Sequence, residues 1–88
     1  MEFEWDENKN QANKIKHGLD FREAIGVFEH PGLIQRETKH GYGEERFSII
    51  GTANGRALFV VYTIRGSVYR IISARRASRD ERRAYSQI

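Results

Sequence analysis

The stretch Val68–Arg76, V-Y-R-I-I-S-A-R-R, decides how the rest of the chain is organised. Its branched and aromatic side chains favour a half-buried β-strand. Strict alternation divides this strand into two faces, which are Tyr69, Ile71, Ser73 and Arg75 on one side and Val68, Arg70, Ile72, Ala74 and Arg76 on the other. Each face begins apolar and ends in arginine. The strand is therefore predicted to be anchored at one end and to present fixed guanidinium groups at the other.

Arginine is concentrated around this strand. The residues concerned are Arg65, Arg70, Arg75, Arg76, Arg79, Arg82 and Arg83. Only Asp80 and Glu81 oppose them within the same segment, so a local positive field is expected. For any single arginine, a solvated surface charge is the alternative interpretation.

The charge is also unevenly divided along the chain. Residues 1–44 hold six Lys/Arg against nine Asp/Glu, whereas residues 45–88 hold nine against three, so the halves carry −3 and +6. The basic half contains arginine and no lysine. Arginine is favoured where planar, bidentate contacts to phosphate or carboxylate matter. This bias indicates an anionic partner, with RNA, DNA and an acidic protein surface as the alternatives.

Length and composition limit the architecture. Residues 1–88 are expected to form a single domain of one sheet and a few helices. The chain has no cysteine, which excludes disulfides and thiolate zinc sites. The longest apolar run, Ala57–Tyr62, is far shorter than the ~20 residues of a membrane-spanning helix. The acidic N-terminal residues do not resemble a secretion signal, so a cytoplasmic location is expected.

The first half of the chain predicts one short strand and two helices. Alternation around Phe3 and Trp5 predicts an edge strand. Asp6 can cap a helix over residues 7–17 that ends at Gly18, with an apolar stripe of Ala12, Ile15 and Leu19. Asp20-x-x-Glu23 is a capping-box-like start for a second helix. Its predicted core-facing stripe is Phe21, Ala24, Ile25 and Phe28, and His30-Pro31-Gly32 ends it.

The second half predicts a β-meander. A weaker strand is expected over residues 33–38, followed by a loop over residues 39–43. Residues 46–52, 57–65 and 68–76 form three β-runs joined by Asn54-Gly55 and Arg65-Gly66-Ser67, which are hairpin signals. Ser78-x-x-Glu81 is a capping box for a last helix. The order β-α-α-β-β-β-β-α predicts an α+β fold with a mostly antiparallel sheet.

The residues that could carry chemistry suit RNA cleavage by the substrate's own 2′-hydroxyl. His17, His30 and His40 lack the spacing of metal ligands, so neither a metal nor a cofactor is expected. The reaction needs a base, an acid and fixed cations at the phosphorus oxygens. His17 is the candidate for proton transfer, since Lys16 beside it favours the neutral form. The alternative is that His17 stabilises the C-terminus of its helix.

Four other groups have structural alternatives as well. His40 is expected to be a solvated loop residue. Glu44 and Glu45 could pair with neighbouring arginines and orient them. Tyr85 could pack in the core or offer a surface for base stacking. Trp5 is expected to belong to the core rather than to a ligand site.

An ordered set of motifs spans nearly the whole chain. The motifs are Phe3-Glu4-Trp5-Asp6, Lys16-His17-Gly18, Phe21-x-x-Ala24 with Val27-Phe28, Gly43-Glu44-x-Arg46, Val60-Val61-Tyr62-Thr63-x-Arg65, and Arg70-Ile71-Ile72-Ser73-Ala74-Arg75-Arg76-Ala77 followed by Glu81 and Tyr85. Taken together they resemble the BrnT toxins of bacterial type II toxin–antitoxin systems. The resemblance implies a RelE-like ribonuclease fold, growth inhibition by RNA cleavage, and a heteromeric complex with a BrnA-type antitoxin that itself binds DNA.

These observations lead to one hypothesis and one alternative. The hypothesis is a metal-independent endoribonuclease in which Arg65 and Arg75 hold the scissile phosphate and His17, assisted by Lys16, transfers protons. RNA-binding roles are expected for Arg46, Arg76, Arg70 and Tyr85. The alternative is a non-catalytic RNA-binding or protein-interaction module that uses only the arginine-rich surface. An acidic antitoxin segment docking on that surface is compatible with the hypothesis.

Overall fold

The computed structural model describes residues 1–37 and 43–88. The elements in these ranges are β1 (Glu2–Glu4), α1 (Glu7–His17), α2 (Phe21–Ala24), a 3₁₀ helix (Ile25–Glu29), β2 (Leu33–Glu37), β3 (Arg46–Ala53), β4 (Arg56–Arg65), β5 (Val68–Arg76) and α3 (Arg79–Tyr85). The predicted α+β class is confirmed, and the predicted order lacks only the 3₁₀ helix. Most of the predicted loop over residues 39–43, with His40, lies outside the described residues.

The sheet has the strand order β1-β5-β4-β3-β2. Strands β2 to β5 pair antiparallel in sequence order, while β1 pairs parallel to β5 at one edge. The predicted meander and the predicted edge position of β1 are therefore confirmed. Asn54 and Gly55 both have positive φ, at 52° and 75°, as a two-residue type I′ hairpin turn requires.

Strand β5 contains a β-bulge at Ile72. Val61 pairs with Ser73, but the next residue of β4, Tyr62, pairs with Ile71, so Ile72 is left as an extra residue. The predicted faces of β5 are wrong for this reason, because alternation changes phase at the bulge. Arg70 and Arg75 lie on the same face, opposite Thr63 and Phe59 of β4.

The two faces of the sheet have different surroundings. One, which we call the covered face, carries the buried Leu58 and Val60 and packs against α1, α2 and the 3₁₀ helix. Arg76 is paired with Leu58 and so belongs to this face, where it is exposed. The other, which we call the open face, carries Arg70 and Arg75. At one end of the open face, α3 contacts β3 through a hydrogen bond of 3.2 Å that Thr52 Oγ1 donates to Tyr85 Oη.

The second predicted helix changes from an α-helix to a 3₁₀ helix at Ile25. Phe21, Ala24 and Val27 are each 0% exposed, whereas Ile25 and Phe28 of the predicted stripe are only partly buried. A 3₁₀ helix has three residues per turn, which places residues at a spacing of three in one line. The core-facing row therefore includes Val27, which the expected α-helical spacing left out.

The inward face of α1 is polar. Its predicted bounds are confirmed by the Asp6 cap and by the left-handed C-cap at Gly18, whose φ is 70°. The predicted apolar stripe is confirmed only at Leu19, which is 1% exposed, because Ile15 is 88% exposed and Ala12 is also exposed. The buried residues of α1 are Asn10 and Asn13.

Asn13 provides hydrogen-bond partners for backbone groups at the edge of β5. These groups lie beyond β1, which pairs only with residues 68–70. Its Nδ2 donates to the carbonyl oxygens of Leu19 at 3.0 Å and Ala74 at 2.9 Å. Its Oδ1 accepts the Ala74 N–H at 3.1 Å. A buried edge needs such partners, because unpaired backbone groups away from water are costly.

Replacing Asn13 by alanine is predicted to lower the free energy of unfolding by about 2–4 kcal/mol, because it leaves buried backbone groups without partners. Equilibrium urea unfolding measures this loss. Asn8→Ala on the exposed side of α1 is the matched control and should stay within about 0.5 kcal/mol of wild type. A loss below about 1 kcal/mol at Asn13 would mean that water replaces its hydrogen bonds.

Candidate functional site

A groove of about 400 Å³ lies on the open face of the sheet. Its lining residues are Glu37, Arg46, Phe59, Val61, Ile72, Ser73 and Arg75. Arg75 is level with Phe59 and Ile50 in the ladder, and Arg46 precedes Ile50 by four residues, which is about 13 Å along the strands. The two arginines therefore approach the groove from opposite ends, with an aromatic and aliphatic floor between them.

Arg75 is held by several contacts at once. Its Nη1 and Nη2 donate to the two carboxylate oxygens of Glu81, each at 2.8 Å, and Nη1 also donates to the Arg76 carbonyl oxygen. Its guanidinium carbon lies 4.2 Å from the centre of the Phe59 ring. Among the described residues, Nε and the second Nη2 hydrogen have no hydrogen-bond partner. This second edge of the guanidinium is available for a bidentate contact with an anion.

The pair formed by Arg75 and Glu81 is electrostatically stable. The hydrogen bonds from Arg75 are the main cause that lowers the pKa of Glu81, and the backbone N–H of Ser78 contributes further. The hydrogen bond from Glu81 in turn raises the pKa of Arg75. Both side chains are therefore charged near neutral pH, and Glu81 also caps α3 through Ser78.

We predict that the effect of Glu81→Gln on stability depends on pH. Because folding lowers the pKa of Glu81, its stabilising contribution is present above the ordinary pKa of a glutamate and is lost as the pH falls through the folded value. The variant should be less stable than wild type near neutrality, and the difference should close in acid. Urea unfolding between pH 3 and 7 measures it, with Asp80→Asn as the matched control on the exposed side of α3. A difference that stays constant with pH would contradict the role of the charge.

A shallow depression of about 230 Å³ adjoins the groove. It lies between α1 and the bulge of β5, and its lining residues are Lys9, Ala12, Asn13, Lys16, His17, Ile72 and Ser73. Ile72 and Ser73 line both cavities, so the two adjoin each other at these residues. Four of the residues predicted from the sequence, namely Arg46, Arg75, Lys16 and His17, therefore lie along one basic surface.

Arg65 lies elsewhere. It is on the open face, six residues beyond the Phe59 that pairs with Arg75, which is about 20 Å along the strand. Its Nε and Nη2 donate to Glu44 at 3.2 Å each, and these bonds lower the pKa of Glu44. The expectation that Arg65 and Arg75 hold one phosphate together is therefore wrong. The orienting role expected for Glu44 agrees with this ion pair.

Three other predicted residues also lie outside the groove. Arg70 donates to Glu4 at 2.8 Å, and Arg76 is on the covered face. Tyr85, on α3, accepts a hydrogen bond from Thr52 of β3. Trp5 is partly buried, with its ring centre 6.0 Å from that of Phe21 in an edge contact. This agrees with its expected place in the core.

A second cavity, of about 420 Å³, lies near the Asn54-Gly55 turn. Glu23 and Glu29 contribute carboxylates to its lining. Its arginine, Arg22, is already paired with Asp20 at 3.2 Å. This chemistry is less suited to a polyanion than that of the groove, although the two cavities are similar in size.

Sequence reasoning missed three residues of the site. Phe59 and Glu37 were not singled out, and Glu81 was recognised only as a capping residue and family motif. The assignment of faces by alternation concealed the contact between Phe59 and Arg75, because the bulge has no visible signal in the sequence. The capping box at Ser78 could have placed Glu81 near the end of β5.

A rigid sheet with a basic, aromatic-floored groove defines a protein suited to binding a polyanion. Residues 5–81 match the family model described as "Ribonuclease toxin, BrnT, of type II toxin-antitoxin system". The chain belongs to this family, which confirms the resemblance seen in its motifs. It is thus a ribonuclease toxin of a type II toxin–antitoxin system, whose family implies an RNA target and an antitoxin protein as partner. A search of curated proteins gave no match.

Two features were absent from the described part of the chain. Within residues 1–37 and 43–88, no three His, Asp or Glu side chains are grouped so that they could hold a metal ion. None of the helices in these ranges is long and apolar enough to cross a membrane.

Proposed function

We propose that this toxin cleaves RNA in the groove through the substrate's own 2′-hydroxyl, without a metal ion. The single observation that carries the proposal is the placement of Arg75, whose position is fixed by Glu81 and Phe59 while one edge of its guanidinium has no partner among the described residues. Donors that are oriented before the reaction stabilise developing charge most effectively, because they need no reorganisation.

Each part of the basic surface has a proposed role. Arg75 holds the scissile phosphate and stabilises the charge on its non-bridging oxygens. Arg46 binds a flanking phosphate from the other end of the groove. His17, with Lys16 beside it, supplies proton transfer from the α1 side. Stabilisation of the helix C-terminus is the alternative role for His17, and His17→Ala separates the two by affecting cleavage or only stability.

The remaining predicted residues are proposed to contact RNA away from the scissile phosphate. Arg65 would form a separate contact about 20 Å from Arg75 along the strand. Arg70, Arg76 and Tyr85 would contact other parts of a longer RNA. We expect these contacts to affect affinity more than the rate of the chemical step.

Arg75→Ala is predicted to lower the rate of RNA cleavage by ~10²–10³, the usual cost of removing one transition-state donor. Purified protein, a mixed-sequence RNA and excess EDTA provide the assay. Arg65→Ala should cost less than Arg75→Ala. Arg36→Ala is the matched control, since Arg36 is exposed and paired with Glu45 at 3.1 Å, and it should leave the rate within about threefold of wild type.

Two outcomes would contradict this function. If EDTA abolishes cleavage by the wild-type toxin, the reaction depends on a metal. If the wild-type chain binds RNA but gives no products, it is the non-catalytic module that the sequence also allowed. An Arg75→Ala variant with wild-type activity would remove Arg75 from the mechanism while leaving the ribonuclease activity intact.

The groove and the α1 depression adjoin each other at Ile72 and Ser73, which favours single-stranded RNA. An RNA that runs from Arg46 on β3 across β4 to β5 crosses two strand spacings, roughly 10 Å, before it reaches Lys16 on α1. Aromatic and cationic surfaces of this kind bind flexible single strands. We therefore propose that Lys16 contacts a phosphate on the α1 side of the cleavage site.

Lys16→Gln is predicted to reduce the salt dependence of binding to a non-cleavable single-stranded RNA by about 0.7 in the slope of log K against log salt, the value for one phosphate contact. Fluorescence anisotropy across a salt series measures the slope. Lys14→Gln is the matched control, because Lys14 lies on the same helix but pairs with Asp20. Equal slopes for the two variants would place the RNA away from α1.

The family supports a proposal for the biological setting. We propose that residues 1–88 act as one toxin domain of RelE-like fold in the cytoplasm and inhibit growth. A BrnA-type antitoxin would neutralise the toxin in a heteromeric complex by covering the basic surface, and only the antitoxin would contact DNA. Expression of the chain with and without its antitoxin, followed by growth and by mapping of RNA ends, tests this setting.

A further inference from the structure

Glu37 lies at the end of β2 and contributes the one carboxylate that lines the groove among the described residues. It is directly opposite Arg46 in the β2–β3 ladder and is partly buried. Paired residues project to the same side of a sheet. Its carboxylate therefore faces the same space as the guanidinium groups of Arg46 and Arg75.

The carboxylate of Glu37 is not used to hold an arginine in place. On the open face, Glu4 pairs with Arg70, Glu44 with Arg65 and Glu81 with Arg75. Within residues 1–37 and 43–88, Glu37 has no ion pair and no side-chain hydrogen bond. A half-buried carboxylate in a basic groove without such a partner retains both oxygens as acceptors.

We propose that Glu37 is the catalytic base of the ribonuclease, a role that rests on the proposed function. Glu37 takes the proton of the 2′-hydroxyl, and the 2′-oxygen forms a bond to phosphorus. The bond between phosphorus and the 5′-oxygen breaks, and the departing oxygen takes a proton from a water molecule on the α1 side. The products are a 2′,3′-cyclic phosphate and a 5′-hydroxyl, so no oxidant, reductant or cofactor enters the balance.

The arrangement of the groove agrees with this step. Attacking and leaving oxygens lie roughly in line on opposite sides of phosphorus during phosphoryl transfer. Glu37 on β2 and Arg75 on β5 line the groove from opposite sides of its floor. A base on one side of the fixed cation leaves the α1 side for the departing oxygen.

The decisive variant is Glu37→Gln, which keeps the size of the side chain but cannot take up a proton. We expect the single-turnover cleavage rate to fall by about 10²–10⁴, the usual contribution of general base catalysis. Affinity for the same RNA carrying 2′-O-methyl groups throughout should stay within about threefold or increase, because a negative charge has left a basic groove. Glu37→Asp should retain more activity than Glu37→Gln.

A pH series adds a measurement that a purely structural role would not change. The pH dependence of the cleavage rate should differ between wild type and Glu37→Gln, because the glutamine side chain cannot take up a proton. Glu45→Gln is the matched control, since Glu45 is an exposed carboxylate near the same β2–β3 connection and pairs with Arg36 instead of lining the groove.

The failures can be told apart. A Glu37→Gln variant that cleaves as fast as wild type would overturn the role of Glu37 and leave the ribonuclease proposal standing. Parallel losses of binding and cleavage would also overturn it, because they would show that Glu37 positions Arg46. A wild-type chain that yields no cyclic phosphate would overturn both proposals.

Discussion

The extra residue at Ile72 is the constraint on which the open face depends. Without it, alternation would turn Arg75 toward the face that holds Tyr69, where the rings of Phe28 and Tyr62 pack. With it, Arg75 lies over Phe59 and the groove has a cation at each end. The same irregularity lies at the junction between the groove and the α1 depression. One inserted residue therefore creates the binding surface and extends it beyond the sheet.

The arginines divide into two groups with different physical effects. Those on the open face, Arg65, Arg70 and Arg75, each bind a carboxylate, which restricts their rotamers and reduces the entropy that a ligand must remove. In the segment of residues 76–83, Arg76, Arg79, Arg82 and Arg83 make no ion pair with any residue that the structure describes. Unneutralised charges attract a polyanion over distance. Rigid recognition and long-range attraction are thus assigned to different parts of the chain.

Local chemistry made much of the fold predictable from the sequence. Asp6, Ser78 and the Asn54-Gly55 turn act through their own side chains or backbone preferences, so the bounds they set were correct to within one residue. The polar inward face of α1 was not predictable, because Asn13 is buried to serve a strand edge that only the tertiary structure reveals. The separation of Arg65 from Arg75 was also hidden, since spacing in sequence gives no position along a ladder. The motif set was enough to identify the family. Prediction of the groove would have needed the register of the strands, which the sequence does not show.

The pairing of β1 with β5 has a consequence for the order of assembly. Glu2 pairs with Val68, and Asn13 bonds to Ala74, so both contacts close loops of more than sixty residues, whereas the meander closes through short hairpins. Long closures form late, because their entropic cost precedes their contacts. We therefore expect the C-terminal half to organise first and the N-terminal segment to dock onto it afterwards. Any agent that restrains the N-terminal segment thus acts on the last step of folding, in which β1 pairs with β5.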